Sequence, residues 1–173
     1  MARRKQRQSK TTVLFVGEGY SEEAFLKHLK KLYITRGCGV SVTIKNAYGK
    51  GPENVLDRVI GQSRNADFTY RAALLDTDLE WPPKMRKQAK EEGIVLVPSN
   101  PCVEGLLLEI LGQNIPETSK ACKRKMLTHF TGDTTIPDSY TQDFSIDVLE
   151  SRRSLVPSLD VLLFLLSGKK PPA

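Results

Sequence analysis

Thr11-Thr12-Val13-Leu14-Phe15-Val16-Gly17-Glu18-Gly19-Tyr20-Ser21-Glu22-Glu23-Ala24-Phe25 passes from a β-branched, apolar run through a glycine-flanked glutamate into acids and apolar residues at helical spacing. TTVLFV has the continuous apolar character of a strand covered on both faces, the pattern of a parallel sheet. Ser21 offers a hydroxyl as helix N-cap, and Glu22 and Glu23 fall in a first turn where the helix dipole favours acid. Phe25, Leu29, Leu32 and Tyr33 then stand at i, i+4, i+7 and i+8 and mark one apolar face to about Arg36. This is a βα unit, and its turn carries Glu18.

The pattern repeats outward from there. Val40 to Ala47 reads as a second strand, and Pro52 to Ser63 as a helix begun by a proline. Tyr70 to Leu75 is a third strand closed by Asp76-Thr77-Asp78, followed by a basic helix from Lys84 to Glu92. Ile94 to Pro98 is a fourth strand, and after the Ser99-Asn100-Pro101 break comes an apolar helix, Val103 to Leu111. Such alternation predicts an α/β fold: a Rossmann-type parallel sheet of about four strands flanked by helices, spanning residues 11–112. Right-handed crossovers gather the βα turns at one edge, where open sheets of this class bind ligands. Residues 113–173 are expected to form a helical C-terminal extension, with helices near Ser119 to Phe130, Asp143 to Ser154 and Ser158 to Leu166.

Charge is unevenly spread along the 173 residues, whose formal net charge is +6. Residues 1–10 carry Arg3, Arg4, Lys5, Arg7 and Lys10 without an acid, the composition of a disordered basic arm. Further basic clusters lie at Lys84, Arg86, Lys87 and Lys90 and at Lys120, Lys123, Arg124 and Lys125. They read either as solvated helix faces or as contacts to a polyanion such as RNA or DNA. Cys38, Cys102 and Cys122 form no C-x-x-C pair, which argues against a zinc site or disulfide framework and fits a cytoplasmic location. Val161 to Leu166 is far too short to cross a bilayer, and the N-terminal charges lead into no signal-like apolar stretch, so no membrane contact is expected.

If the first and third strands are neighbours, their ends lie about 4.8 Å apart. Glu18, Asp76 and Asp78 would then share one small volume. Three carboxylates that close repel unless a cation intervenes, and Mg²⁺, with Mn²⁺ as a substitute, takes such oxygen ligands together with phosphate oxygens. Competing phosphate motifs fail on their residues. The dinucleotide fingerprint requires glycine where Glu22 stands, no G-K-S/T follows for a Walker loop, and a phosphoaspartyl enzyme keeps its acid pair near the first strand. Lys50, in a glycine-flanked turn at the same edge, is a phosphate-holding candidate, with Arg64, Arg86 and Lys87 as further nucleic-acid-binding candidates. His28 reads as structural.

A turn glutamate after strand one followed by D-x-D after strand three resembles the Toprim domain of topoisomerases, primases and OLD-type nucleases. In finer detail, EGYSEEAF is similar to the E-G-x-T/S-E-x-x-Y/F element of the RloB-like family, a Toprim group linked to prokaryotic anti-phage defence. DTD and SNPCVEGLLLEI resemble that family's D-x-D and S-N-P-x-F-E-x-W-L-L elements, with Val103 and Leu106 in place of its aromatic residues and Glu109 in place of an apolar one. The resemblance implies that Glu18 is an acid, base or metal ligand, that Asp76 and Asp78 bind metal, and that Glu23 and Glu104 are supporting acids. It implies a metal-dependent endonuclease, a hydrolase of phosphodiesters. The alternative is a non-catalytic nucleic-acid-binding or sensor subunit that acts with a defence-system partner or in RNA processing. Topoisomerase chemistry needs a separate tyrosine-bearing domain, for which about 60 residues are too few. The apolar C-terminal helix suggests a homodimer.

Overall fold

A computed structural model describes residues 10–172, so the basic arm expected at 1–10 lies outside the described residues apart from Lys10. Four strands, β1 (Thr11–Gly17), β2 (Val40–Asn46), β3 (Tyr70–Asp76) and β4 (Ile94–Ser99), form one all-parallel sheet in the order β2-β1-β3-β4. The connecting helices are α1 (Tyr20–Tyr33), α2 (Pro52–Ser63) and α3 (Pro83–Glu91), and α4 (Val103–Ile110) follows β4. The fold is therefore α/β and Rossmann-like, as its βα periodicity predicts.

Alternation within the strands sends successive side chains to two separate cores. Val13, Phe15, Ala72, Leu74 and Val97 pack with Phe25 and Leu29 of α1 and with the buried side chains of α4. Leu14, Val16, Ala73 and Leu75 face α2 and α3 through Val55, Val59, Met85 and Ala89. With α1 on one face and α2 on the other, the chain leaves β1 toward β2 and returns past it to β3. The winding direction thus reverses between β1 and β3, opening a crevice at their carboxyl ends.

The C-terminal third covers the first face. Helices α5 (Ser119–His129), α6 (Ile146–Arg152) and α7 (Pro157–Leu166), with a 3₁₀ turn at Pro137–Tyr140 and the segments between them, contribute Cys122, Met126, Phe130, Phe144, Leu149 and Leu162 to the same core as α1 and α4. Leu159, Leu162, Leu163, Leu165 and Leu166 of α7 are buried, and Arg153 lies 4.8 Å from the Phe164 ring centroid. The apolar run that suggested a dimer surface is largely consumed by the chain's own fold.

His28 locks this third to α1. Its Nε2–H donates to the Phe144 carbonyl over 2.7 Å, and its ring lies 5.6 Å from that of Tyr140. Burial holds the imidazole below its ordinary value, opposed by the Phe144 carbonyl; Lys31 adds to the lowering, and Asp138 works against it. The unfolded chain therefore takes up the proton first on acidification, so this contribution to stability is complete above about pH 6.5 and is lost as pH falls. Urea unfolding at pH 7.5 and 5.5 should show a steeper acid-side loss in wild type than in His28→Gln. Equal losses in both would remove His28 from the acid response.

Candidate functional site

Glu18 leaves the end of β1 at the crevice, and Gly17 is what lets α1 start directly above it. A Cβ on Gly17 would come within 2.7 Å of the Glu22 Cβ and 3.1 Å of the Glu23 nitrogen. The helix begins two residues earlier than the sequence suggests, with Gly19 as N-cap in place of Ser21. The Glu22 carboxylate folds back to accept the Gly19 N–H at 2.9 Å, while the Ser21 hydroxyl pairs with Thr134 at 3.0 Å instead of capping.

Across the crevice, the Asp76 N–H donates to Glu18 Oε2 at 3.3 Å. The Asp76-Thr77-Asp78 turn is pinned by the loop after β4: the Thr77 and Asp78 N–H groups both donate to the Pro101 carbonyl at 3.0 Å. Asp78 Oδ2 accepts from the Ser119 hydroxyl at 2.7 Å, which ties the first residue of α5 to the acidic edge. On the opposite flank, the Gly49 N–H donates to the Glu18 carbonyl at 2.8 Å. Loops after all four strands are thus joined around Glu18 and Asp76.

The acids strain against one another. Burial, together with the negative charges of Glu22, Glu18, Asp78 and Glu104, pushes the Asp76 carboxyl up to about 8. Glu18 is raised chiefly by burial, with Asp78 adding to it and the Asp76 N–H opposing. Glu22 is raised by burial and by Glu104 and Glu18, against the pull of its backbone hydrogen bonds. Asp76 Oδ1, Glu104 Oε2 and the Ser99 hydroxyl are buried without a hydrogen-bond partner among the described residues, and Ser99 is the β4 register partner of Asp76.

Among the described residues, no three His, Cys, Asp or Glu side chains stand positioned to hold one metal ion by themselves. The donor chemistry nevertheless fits a hard divalent cation. The donors are carboxylate oxygens with raised proton affinity and orphaned lone pairs, and such an ion commonly takes one or two carboxylates and completes its shell with water and phosphate oxygens.

Other sequence candidates fall into place or away from it. Lys50 sits at the same edge, exposed, in a loop where Tyr48 and Lys50 both adopt positive φ, 60° and 71°. Asn54 fixes that loop by donating to the Ala47 and Gly49 carbonyls. Arg86 is in the first turn of α3, donating from Nε to the Trp81 carbonyl, while the Trp81 indole donates to the Asp76 carbonyl. Lys87 is paired with Glu91 on an exposed helix face. Arg64 caps the C-terminus of α2. A 12-residue helix carries it about 18 Å toward the opposite edge of the sheet, so it does not belong with the site.

Glu23 also departs from expectation. It pairs with Lys27 at 2.7 Å and accepts from the Asn46 amide at 2.8 Å, which hold its carboxyl below the ordinary range in spite of burial. Glu22 takes the supporting place instead. Aligned letter by letter, E-G-x-S-E puts the element's second acid on Glu22, a signal the sequence already held.

The sequence reading assigned the basic cluster of α5 no place in the site. Lys120, Lys123, Arg124 and Leu127 stand at i, i+3, i+4 and i+7, one exposed stripe, while Cys122 and Met126 turn to the core. The stripe borders a groove of about 440 Å³ whose lining includes Phe130 and Glu104. Glu104 is 7% exposed and acts electrostatically on Asp76, so the groove adjoins the acidic edge. No helix among the described residues is long and apolar enough to cross a membrane. No protein-family model, no curated protein and no solved structure matches this chain.

Proposed function

We propose that this chain is a Mg²⁺-dependent nuclease of Toprim type that hydrolyses phosphodiesters of RNA, such as tRNA, or of DNA. The observation that carries the reading is the meeting of Glu18 with Asp76 at the reversal point between β1 and β3, where partly buried carboxylates repel one another and, among the described residues, Asp76 Oδ1 and Glu104 Oε2 lack hydrogen-bond partners. The order of motifs, glutamate after β1, D-x-D after β3 and S-N-P after β4, supports the Toprim assignment. A role in prokaryotic anti-phage defence, in the cytoplasm and alone or with a partner protein, rests on the likeness to RloB-like motifs.

Glu18, Asp76 and Asp78 would hold the cation, with Glu22 and Glu104 adding negative charge nearby. When bound, Mg²⁺ supplies Lewis acidity and neutralises charge on phosphoryl oxygens. Glu18, its proton affinity raised by burial, is suited to accept and return a proton at Oε2. Lys50 on one flank and Lys120, Lys123 and Arg124 on the other can hold the phosphates on either side of the reacting one, positioning the strand without reading its sequence.

A Mg²⁺ titration with tRNA and plasmid, comparing wild type with Glu18→Gln, tests this reading. Wild-type cleavage that needs the cation and falls about 100-fold or more in the variant is the expected outcome. Binding without cleavage in wild type at every Mg²⁺ and Mn²⁺ concentration would replace the nuclease with a non-catalytic binding or sensor subunit.

A further inference from the structure

Resting on the nucleic-acid reading above, we infer that the groove beside α5 takes one nucleotide of a single-stranded segment next to the reacting phosphate, making the protein selective for single strands over duplex. Three features of the groove lead there.

Its rim is cationic and free: Lys120, Lys123 and Arg124 are exposed, and none makes an ion pair among the described residues. Lys125, just off the stripe, instead donates to the Asn114 carbonyl. Unpaired cations spaced along one helix face match the backbone of a polyanion, which gains by releasing counterions. Apolar surface lies beside that rim. Leu127 is 79% exposed, and the wall continues through Met126 and Phe130. An aliphatic side chain that open beside three cations suits a flat base whose own phosphate lies on the rim.

The inner wall carries a carboxylate with one unpartnered oxygen. Glu104 lines the groove, is more than nine-tenths buried, and its Oε2 has no hydrogen-bond partner among the described residues. Every nucleobase offers an N–H on its pairing edge, so a base in the groove satisfies Glu104 whatever its identity. In duplex that edge is already paired and the base is stacked, so only an unpaired nucleotide can enter. A volume of about 440 Å³ is of the size expected for a small-ligand pocket. The Ser119–Asp78 hydrogen bond fixes the start of the stripe against the acidic edge, placing the occupant beside the scissile position.

Fluorescence anisotropy in EDTA, where no cleavage occurs, reads the groove separately from the chemistry. The probes are a labelled 12-nucleotide single-stranded RNA, the same strand with one abasic position scanned along it, and the 12-base-pair duplex. Wild type should bind the single strand about tenfold tighter than the duplex, with one abasic position costing about fivefold. Lys123→Ala/Arg124→Ala should weaken single-strand binding at least tenfold and reduce the slope of log affinity against log salt by about 1.4. Leu127→Ser, at an exposed position that leaves the fold intact, should cost about fivefold on the intact strand and nothing on the strand whose critical base is missing.

Equal affinity for duplex and single strand, or unchanged binding by the Lys123/Arg124 double variant, would overturn the groove assignment. If wild type cleaves nucleic acid while the groove variants bind normally, the groove fails and the nuclease stands. Single-strand binding that the groove variants lose, in a wild type that never cleaves, keeps the groove and removes the nuclease. Absence of any nucleic-acid binding removes both.

Discussion

Asp76→Asn should melt at a higher temperature than wild type in EDTA at pH 8, by about 3–8 °C, while cleaving nucleic acid at least 100-fold more slowly. The reason is the crowding of acids at the β1/β3 crevice. Burial and four neighbouring carboxylates raise the Asp76 carboxyl from 3.8 to about 8, so the folded state keeps a proton that the unfolded chain has released. Stability contributed by that proton is present below about pH 4 and declines as pH rises toward 8. A rise of that size caps the penalty at ~6 kcal/mol. Partial exposure of the site and relaxation of its neighbours cut this to about 1–3 kcal/mol. Asparagine removes the charge with little change of shape, so the decline should shrink, leaving the part that Glu18 and Glu22 contribute. Mg²⁺ should stabilise wild type more than the variant, because the variant has lost one of the carboxylates that would hold the ion. Differential scanning fluorimetry from pH 5 to 8, with and without about 10 mM Mg²⁺, reads all of this. A variant less stable than wild type at pH 8 would show that Asp76 is held by attractive partners instead.

Gly105→Ala should damage both stability and site. A Cβ in this first turn of α4 would be driven into the Asn100 carbonyl and to 3.0 Å from Pro101 Cδ. The obstacle is backbone, not a flexible side-chain end, so α4 or the Ser99–Pro101 turn has to move. Overpacking of this kind costs about 1–3 kcal/mol, and more where the backbone cannot yield. The same turn supplies the Pro101 carbonyl that accepts from Thr77 and Asp78, and the Asn100 side chain that accepts from the Thr77 hydroxyl. Its displacement should loosen Asp78 and carry Glu104 away from the crevice. Urea unfolding should show the stability loss, and the Mg²⁺ dependence of cleavage should shift to higher concentration. A variant of normal stability and activity would mean that α4 docks more loosely than the close approach of Gly105 implies.

The sheet was legible because its strands are apolar on both faces and its helices keep one apolar stripe, so local pattern and tertiary role agree. Glu18, Asp76 and Asp78 could be placed together for the same reason: βα turns of a right-handed parallel sheet share an edge. What escaped the sequence depends on contacts between distant segments. Glu22 looks like any first-turn acid until Gly17 lets it fold over the end of β1. Arg64 looked like one more nucleic-acid-binding cation, yet the length of α2 takes it to the far edge. The α5 stripe has an ordinary surface composition, and only the Ser119–Asp78 bond and the burial of Glu104 make it part of the site. Nor could α7 reveal from its own residues whether the sheet or a second copy would cover it; Leu162 and Leu163 pack inside this chain.

A crystal of the protein soaked in Mn²⁺ tests the central claim most directly, because anomalous scattering locates the ion independently of activity. One peak in contact with the carboxylates of both Glu18 and Asp76, absent from crystals of Asp76→Asn, is the predicted result. A cluster without a peak, its acids splayed apart while manganese binds elsewhere on the surface, would contradict it.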